Sequence, residues 1–157
     1  MNLLIALDGS TYSMNAITEV IRRPWPEKTI IKAVHIVEPF HTARGVWHAN
    51  YVPVAIKVQK ELLEAGKLML EEPTKKLEEK FGKENVSCEV HEGYIADRIL
   101  EIAESWPADL IVLGSHGKKG FTRFLLGSVS QSIVSHSPCS VEVVKMRADV
   151  NAEDSEK

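Results

Sequence analysis

Cysteine is scarce. The chain has two, Cys88 and Cys139, far apart and with no CxxC spacing, which excludes a disulfide framework and a paired-cysteine metal or redox motif. Both are expected as reduced, buried residues of a cytosolic protein. Excess positive charge is also lacking: 19 Lys plus Arg stand against 22 Asp plus Glu, for a formal net charge of −3. No sequence-wide pull toward nucleic acid or anionic membrane is therefore expected. Long apolar runs are missing too. Met1-Asn2-Leu3-Leu4-Ile5-Ala6-Leu7-Asp8 has no basic lead and loses its apolar character after a few residues, too few for a secretory signal or a membrane span. The expected location is the cytoplasm, with neither nucleic acid nor membrane as partner. At 157 residues the chain fits one domain, which at this size buries roughly 70% of the surface its unfolded chain exposes, enough for a core without cross-links.

What is present is an alternation of short apolar runs and longer periodic stretches. Leu3 to Leu7 is continuously apolar and ends at Asp8-Gly9-Ser10, as suits a strand covered on both faces that empties into a turn. Met14, Ile17, Val20 and Ile21 recur at helical spacing over Thr11 to Arg23, with Ser10 as a cap and Pro24-Trp25-Pro26 as the stop. Thr29 to Val37 reads as a second strand. Pro39 to Pro53, with His41, His48, Trp47 and Tyr51, keeps no period and reads as a long loop or lid. Ala55 to Phe81 reads as an amphipathic helix with Ile56, Leu62, Leu63, Gly66, Met69, Leu70 and Leu77 inward. Pro73 should kink or split it. Val86 to Glu92 and Asp109 to Leu113 read as strands flanking a helix over Tyr94 to Trp106, with Trp106 inward. Ser128 to Ser137 reads as a helix and Val141 to Lys145 as the last strand. Residues 1–146 form the expected domain, and the acidic tail Arg147 to Lys157 is expected to be disordered.

Strands alternating with helices predict an α/β fold: a five-stranded parallel sheet in the order 3-2-1-4-5, Rossmann-like, with helices on both faces. In that order the first and fourth strands are neighbours, and their C-terminal ends open the crevice where such sheets bind ligands. Asp8 and Gly114 end those two strands. The segment Gly114-Ser115-His116-Gly117 to Gly127-Ser128-Val129-Ser130 joins the fourth strand to a helix. Glycines there let the backbone approach a ligand and adopt positive φ, and the helix start adds unsatisfied N–H groups and the positive end of its dipole. The hydroxyls of Ser128 and Ser130 can donate to the same anion. Phosphate suits such a loop, although neither GxxxxGK[ST] nor GxGxxG is present. A carboxylate at Asp8, beside the loop, can accept from ribose hydroxyls or an adenine amine, which favours a nucleotide over bare phosphate. Asp8 as a helix cap is the competing reading.

Asp109-Leu110-Ile111-Val112-Leu113-Gly114-Ser115-His116-Gly117, nine residues, then Gly127-Ser128-Val129-Ser130, resembles the G-x2-G-x9-G-[ST] signature of the ATP-binding branch of the universal stress protein family. Leu3 to Ser10 resembles that family's first strand and Asp-Gly-Ser turn, and Ser137 to Val144 its closing strand. The resemblance implies an adenine nucleotide alpha hydrolase-like fold. It implies that Ala6, Asp8 and Ile36 line the adenine and ribose end, and that Gly114, Ser115, Gly117, Gly127, Ser128, Val129 and Ser130 surround the phosphates. The implied ligand is ATP, AMP or ADP, with Mg2+ as an accompanying ion, and the implied assembly is a homodimer paired through Val141 to Lys145.

Arg123 is the best candidate among the loop cations to neutralise a triphosphate; Lys118 and Lys119 read as outer-surface residues. His116 reads as a solvent-facing or carbonyl-capping side chain rather than a catalyst, and His41, His48 and Glu38 match no standard metal spacing. No catalytic residue and no protein metal site is assigned. The expected function is ATP-dependent regulation in a stress response through a protein partner of unknown identity, with a slow ATPase or a nucleotide-free dimeric scaffold as alternatives.

Overall fold

The computed structural model describes residues 1–39, 52–117 and 126–146. Five parallel strands, β1 (Asn2–Ala6), β2 (Ile30–Val37), β3 (Val86–Glu92), β4 (Leu110–Gly114) and β5 (Ser140–Val144), lie in the order β3-β2-β1-β4-β5. That is the predicted order. β1 is the central strand, in register with Ala6 opposite Val34 on one side and Leu113 on the other.

The continuous apolar run of β1 is explained by its position. Leu3 and Ile5 pack with Ala16, Ile17 and Val20 of α1 (Thr11–Arg22) and with Leu70 and Leu77 of α2 (Val52–Phe81). Leu4 faces the opposite side, with Ile99, Ile102 and Ala103 of α3 (Ile95–Ser105) and Ile133 of α4 (Ser128–His136). Alternate side chains of one strand thus serve two cores, which only apolar residues at every position can do. Leu3, Leu4 and Ile5 are fully buried.

Ser10 caps α1 as expected, its hydroxyl accepting from the Ser13 N–H at 3.2 Å. Helix α2 differs from expectation in two ways. Pro73 does not split it: the 30-residue helix runs through, with Pro73 buried and the Thr74 hydroxyl donating to the Leu70 carbonyl at 2.6 Å. Ile56 and Leu62, expected inward, are exposed. The helix is longer than the sheet it covers, so its inward face meets the core only from Gly66 onward, at Gly66, Leu70, Pro73 and Leu77.

The cysteines are half-buried and unpaired rather than fully buried, because Cys88 lies on edge strand β3 and Cys139 just before edge strand β5. Burial still pushes the Cys88 thiol up. Trp106 is partly exposed at the end of α3, with the Lys32 ammonium 5.5 Å from its ring centre.

Candidate functional site

The sheet order has a local consequence. The chain leaves β1 toward one face, into α1, and leaves β4 toward the other, into α4, so a crevice opens above their C-terminal ends. A cavity of about 770 Å³ fills it. Its walls come from the ends of β1, β2 and β4, the first turns of α3 and α4, and the glycine-rich loop.

Nine of the expected site residues line this cavity: Ala6, Asp8, Ile36, Gly114, Gly117, Gly127, Ser128, Val129 and Ser130. Ser115 does not. It is 2% exposed, and its backbone is used to close the loop, donating to the Val144 carbonyl and accepting from the Gly127 N–H, both at 2.9 Å. Ser115 thus ties the two ends of the loop together and to β5. Arg123, Lys118 and Lys119 lie outside the described residues, as do His41, Trp47, His48, Tyr51 and the acidic tail after Met146.

Gly114 and Gly117 are required for a reason other than positive φ. Among the described residues the positive-φ glycines are Gly9, Gly82 and Gly93. At Gly114, a Cβ would fall 2.7 Å from the backbone carbonyl carbon of Tyr12, because α1 starts directly against the end of β4. At Gly117 it would fall 2.8 Å from Asp8 Oδ2, and at Gly127 3.4 Å from the Ser115 carbonyl. Gly114 and Gly117 mark close approaches between segments distant in sequence, while a Cβ at Gly127 would make only ordinary contact within the loop.

Asp8 is not the cap of α1; it orients the cap. Its Oδ1 accepts from the Ser10 N–H at 3.0 Å and from the Ser10 hydroxyl at 2.6 Å. This fixes the carboxylate at the cavity wall next to Gly117. The Ser130 hydroxyl, expected as an anion donor, is buried and donates to the Gly114 carbonyl at 2.9 Å. What remains for an anion is the Ser128 hydroxyl, exposed at the start of α4 in the cavity lining, and backbone. The first intrahelical bond of α4 runs from Gln131 N–H to Gly127 O at 2.9 Å, and no side chain caps the helix. The N–H groups of Ser128, Val129 and Ser130 therefore point out of the helix end toward the cavity.

Residues outside that expected set also line the cavity. Val34, Ile95, Ile99 and Leu113 make an apolar floor, and His35, Glu38 and His116 add polar edges. His116 packs its ring against Tyr12 with centroids 5.1 Å apart, and Nδ1 lies 3.1 Å from the Ser115 hydroxyl. Its Nε2 is enclosed with no partner among the described residues. The signal for His35 was there to read: a polar residue between Val34 and Ile36 in a strand buried on both sides needs a reason. Among the described lining residues Asp8 and Glu38 are the acidic ones, and none is Lys or Arg.

The model of the universal stress protein family matches residues 1–145. The chain belongs to this family. A similar relative is universal stress protein MJ0531 of Methanocaldococcus jannaschii, 34% identical over 147 residues that cover 91% of this chain and 81% of that one. The universal stress protein UspA from Lactobacillus plantarum has the same fold, with a TM-score of 0.76 and 23% identity over 92% of this chain and 97% of that one. A family protein from Arabidopsis thaliana, solved with AMP bound, superposes with a TM-score of 0.65 and 19% identity, over 98% of this chain and 97% of that one. No described helix is long and apolar enough to cross a membrane.

Proposed function

We propose that this chain binds ATP or a related adenine nucleotide in the crevice and acts as a nucleotide-dependent regulatory protein in a stress response. The observation that carries the reading is the pairing of two unlike ends in one cavity: an apolar floor of Val34, Ile36, Ile95, Ile99 and Leu113, and an uncapped helix start at Ser128–Ser130. The floor fits a purine ring. The helix start suits phosphate, with backbone N–H donors and the positive end of a dipole. Asp8 lines the same cavity beside Gly117, where a carboxylate can accept from ribose hydroxyls. The AMP bound to the Arabidopsis relative agrees with this ligand class.

Among the described residues no group of three or more His, Cys, Asp or Glu side chains could hold a metal ion. In this reading Mg2+ arrives on the phosphates, with Asp8 the nearest carboxylate to the loop. The binding claim is tested by calorimetric titration of ligand-stripped protein with ATP, with and without magnesium. Saturable binding near one nucleotide per chain is the expected outcome. No heat, repeated by a second method at high nucleotide concentration, leaves the same fold as a nucleotide-free scaffold.

A further inference from the structure

His35 sits in β2 and borders the cavity. Its Nδ1 lies 2.8 Å from the Leu7 carbonyl oxygen. A carbonyl only accepts, so Nδ1 carries the proton and donates. The other edge of the ring rests on helix α2: a Cβ on Gly66 would fall 2.7 Å from His35 Cδ2 and 3.5 Å from Nε2. The imidazole is thus wedged between the end of β1 and the one position of α2 whose lack of a side chain admits it.

The wedge interrupts a ladder. The Leu7 N–H donates to the Val34 carbonyl at 2.9 Å, the last rung between β1 and β2. In a regular parallel ladder the next rung would run from the Ile36 N–H to the Leu7 carbonyl. His35 takes that carbonyl instead. Backbone polar groups alternate sides along a strand, so those of Ile36 point the same way as those of Val34, toward the gap that β1 has left.

We propose that His35 is a positioning residue for the nucleotide: it holds the end of β1 off β2, presents the Ile36 backbone and the Asp8 turn to the base and ribose, and is itself seated by Gly66. This rests on the adenine-nucleotide reading of the cavity. Gly66 is absent from the cavity lining and acts on the ligand only through the ring it seats.

The test compares ATP and inorganic tripolyphosphate binding by calorimetry in the full chain. His35→Leu keeps bulk and removes the donor; His35→Asn keeps a donor near the Nδ1 position. His35→Leu should weaken ATP about five- to tenfold, the scale of one lost hydrogen bond, and His35→Asn should recover most of it. Gly66→Ala, which forces the ring aside, should weaken ATP similarly. In a His35→Ala background it should add little further loss, because the clashing ring is gone and the remaining approach, 3.2 Å to Val90 Cγ1, lies outside the cavity lining. Tripolyphosphate, which needs only the loop and α4, should bind all variants alike. Equal ATP affinity across wild type, His35→Leu and Gly66→Ala overturns the proposal, as does an equal loss for tripolyphosphate. Absence of ATP binding in the wild type defeats the nucleotide reading instead. Amide exchange at Ile36 in the ligand-free chains then decides the role of His35. Slower exchange in His35→Leu, as the rung closes onto Leu7, supports it, and unchanged exchange overturns it.

Discussion

Gly114 and Gly117 stand three residues apart in one loop and answer to different neighbours. The Cβ missing from Gly114 would meet the backbone of Tyr12 and Ser13 at the start of α1. Helix and strand are both fixed there, so nothing flexible can yield. Gly114→Ala should lower unfolding stability by roughly 1–3 kcal/mol, the usual cost of overpacking, as read by denaturant titration. Among the described residues the Cβ missing from Gly117 would meet only the Asp8 carboxylate at the cavity wall. Gly117→Val should leave circular dichroism and the unfolding midpoint close to wild type and weaken ATP by at least about tenfold. Native affinity in a folded Gly117→Val protein would remove the loop from the nucleotide site. Ser130 belongs to this scale as well. Its hydroxyl holds the end of β4 rather than an anion, so only its backbone N–H is left for a ligand.

At the scale of elements, β3 is a sheet edge that carries charge on one face. Glu89 accepts from Lys32 and, at 2.9 Å, from His91 Nε2, while Arg98 Nη2 of α3 lies 3.4 Å from His91 Nδ1. In a neutral His91 ring this geometry makes Nε2 the donor to Glu89 and Nδ1 the acceptor from Arg98. Partial burial pushes the Glu89 carboxyl up, but the hydrogen bonds from Lys32 and His91 outweigh it and hold the group below the ordinary carboxylate range. A carboxyl whose folded pKa is lowered adds stability that is complete above its unfolded value, about 4.3, and is lost as pH falls through the lower folded value. Glu89→Gln should therefore lower the melting temperature at neutral pH, and the gap to wild type should close as the pH is taken down through that window. A gap independent of pH would show that shape, not charge, matters at this position. Helix α2 shows the other lesson of this scale. Its pattern predicted a helix correctly, but a period says which residues share a face and not how far the opposing sheet extends, so Ile56 and Leu62 were assigned to a core they do not reach.

At the scale of the molecule, the sheet has β5 as an edge, with no strand beyond it among the described residues. The Val144 carbonyl accepts from Ser115 N–H and so faces β4. By alternation the backbone groups of Val141 and Val143 face outward. We propose that this edge pairs with its copy in a second chain, as an apolar edge strand otherwise invites uncontrolled pairing. Val143→Pro removes an outward N–H without touching a β4–β5 rung, a substitution an edge strand tolerates. It should convert a dimer to a folded monomer by light scattering coupled to size exclusion. A variant that stays dimeric, or a wild type that is monomeric, would place the contact elsewhere or remove it.

The sequence alone determined the order of elements, the parallel sheet and its winding, and the stretch in which the site would lie. These depend on local periods, on turn residues, and on the rule that a strand apolar at every position must be covered on both faces. It also placed nine of the eleven proposed contact residues on what proved to be one cavity wall. Only the tertiary structure decided what each residue there does. Gly114 and Gly117 are set by Tyr12 and Asp8, more than 100 residues away in the chain; Ser115 and Ser130 spend their polar groups on closing the loop and holding β4; His35 reaches Leu7 and Gly66 from a different element. Periodicity reports the neighbours a residue has along its own helix or strand. A hydrogen bond or close approach between elements depends on where the fold has carried the other partner.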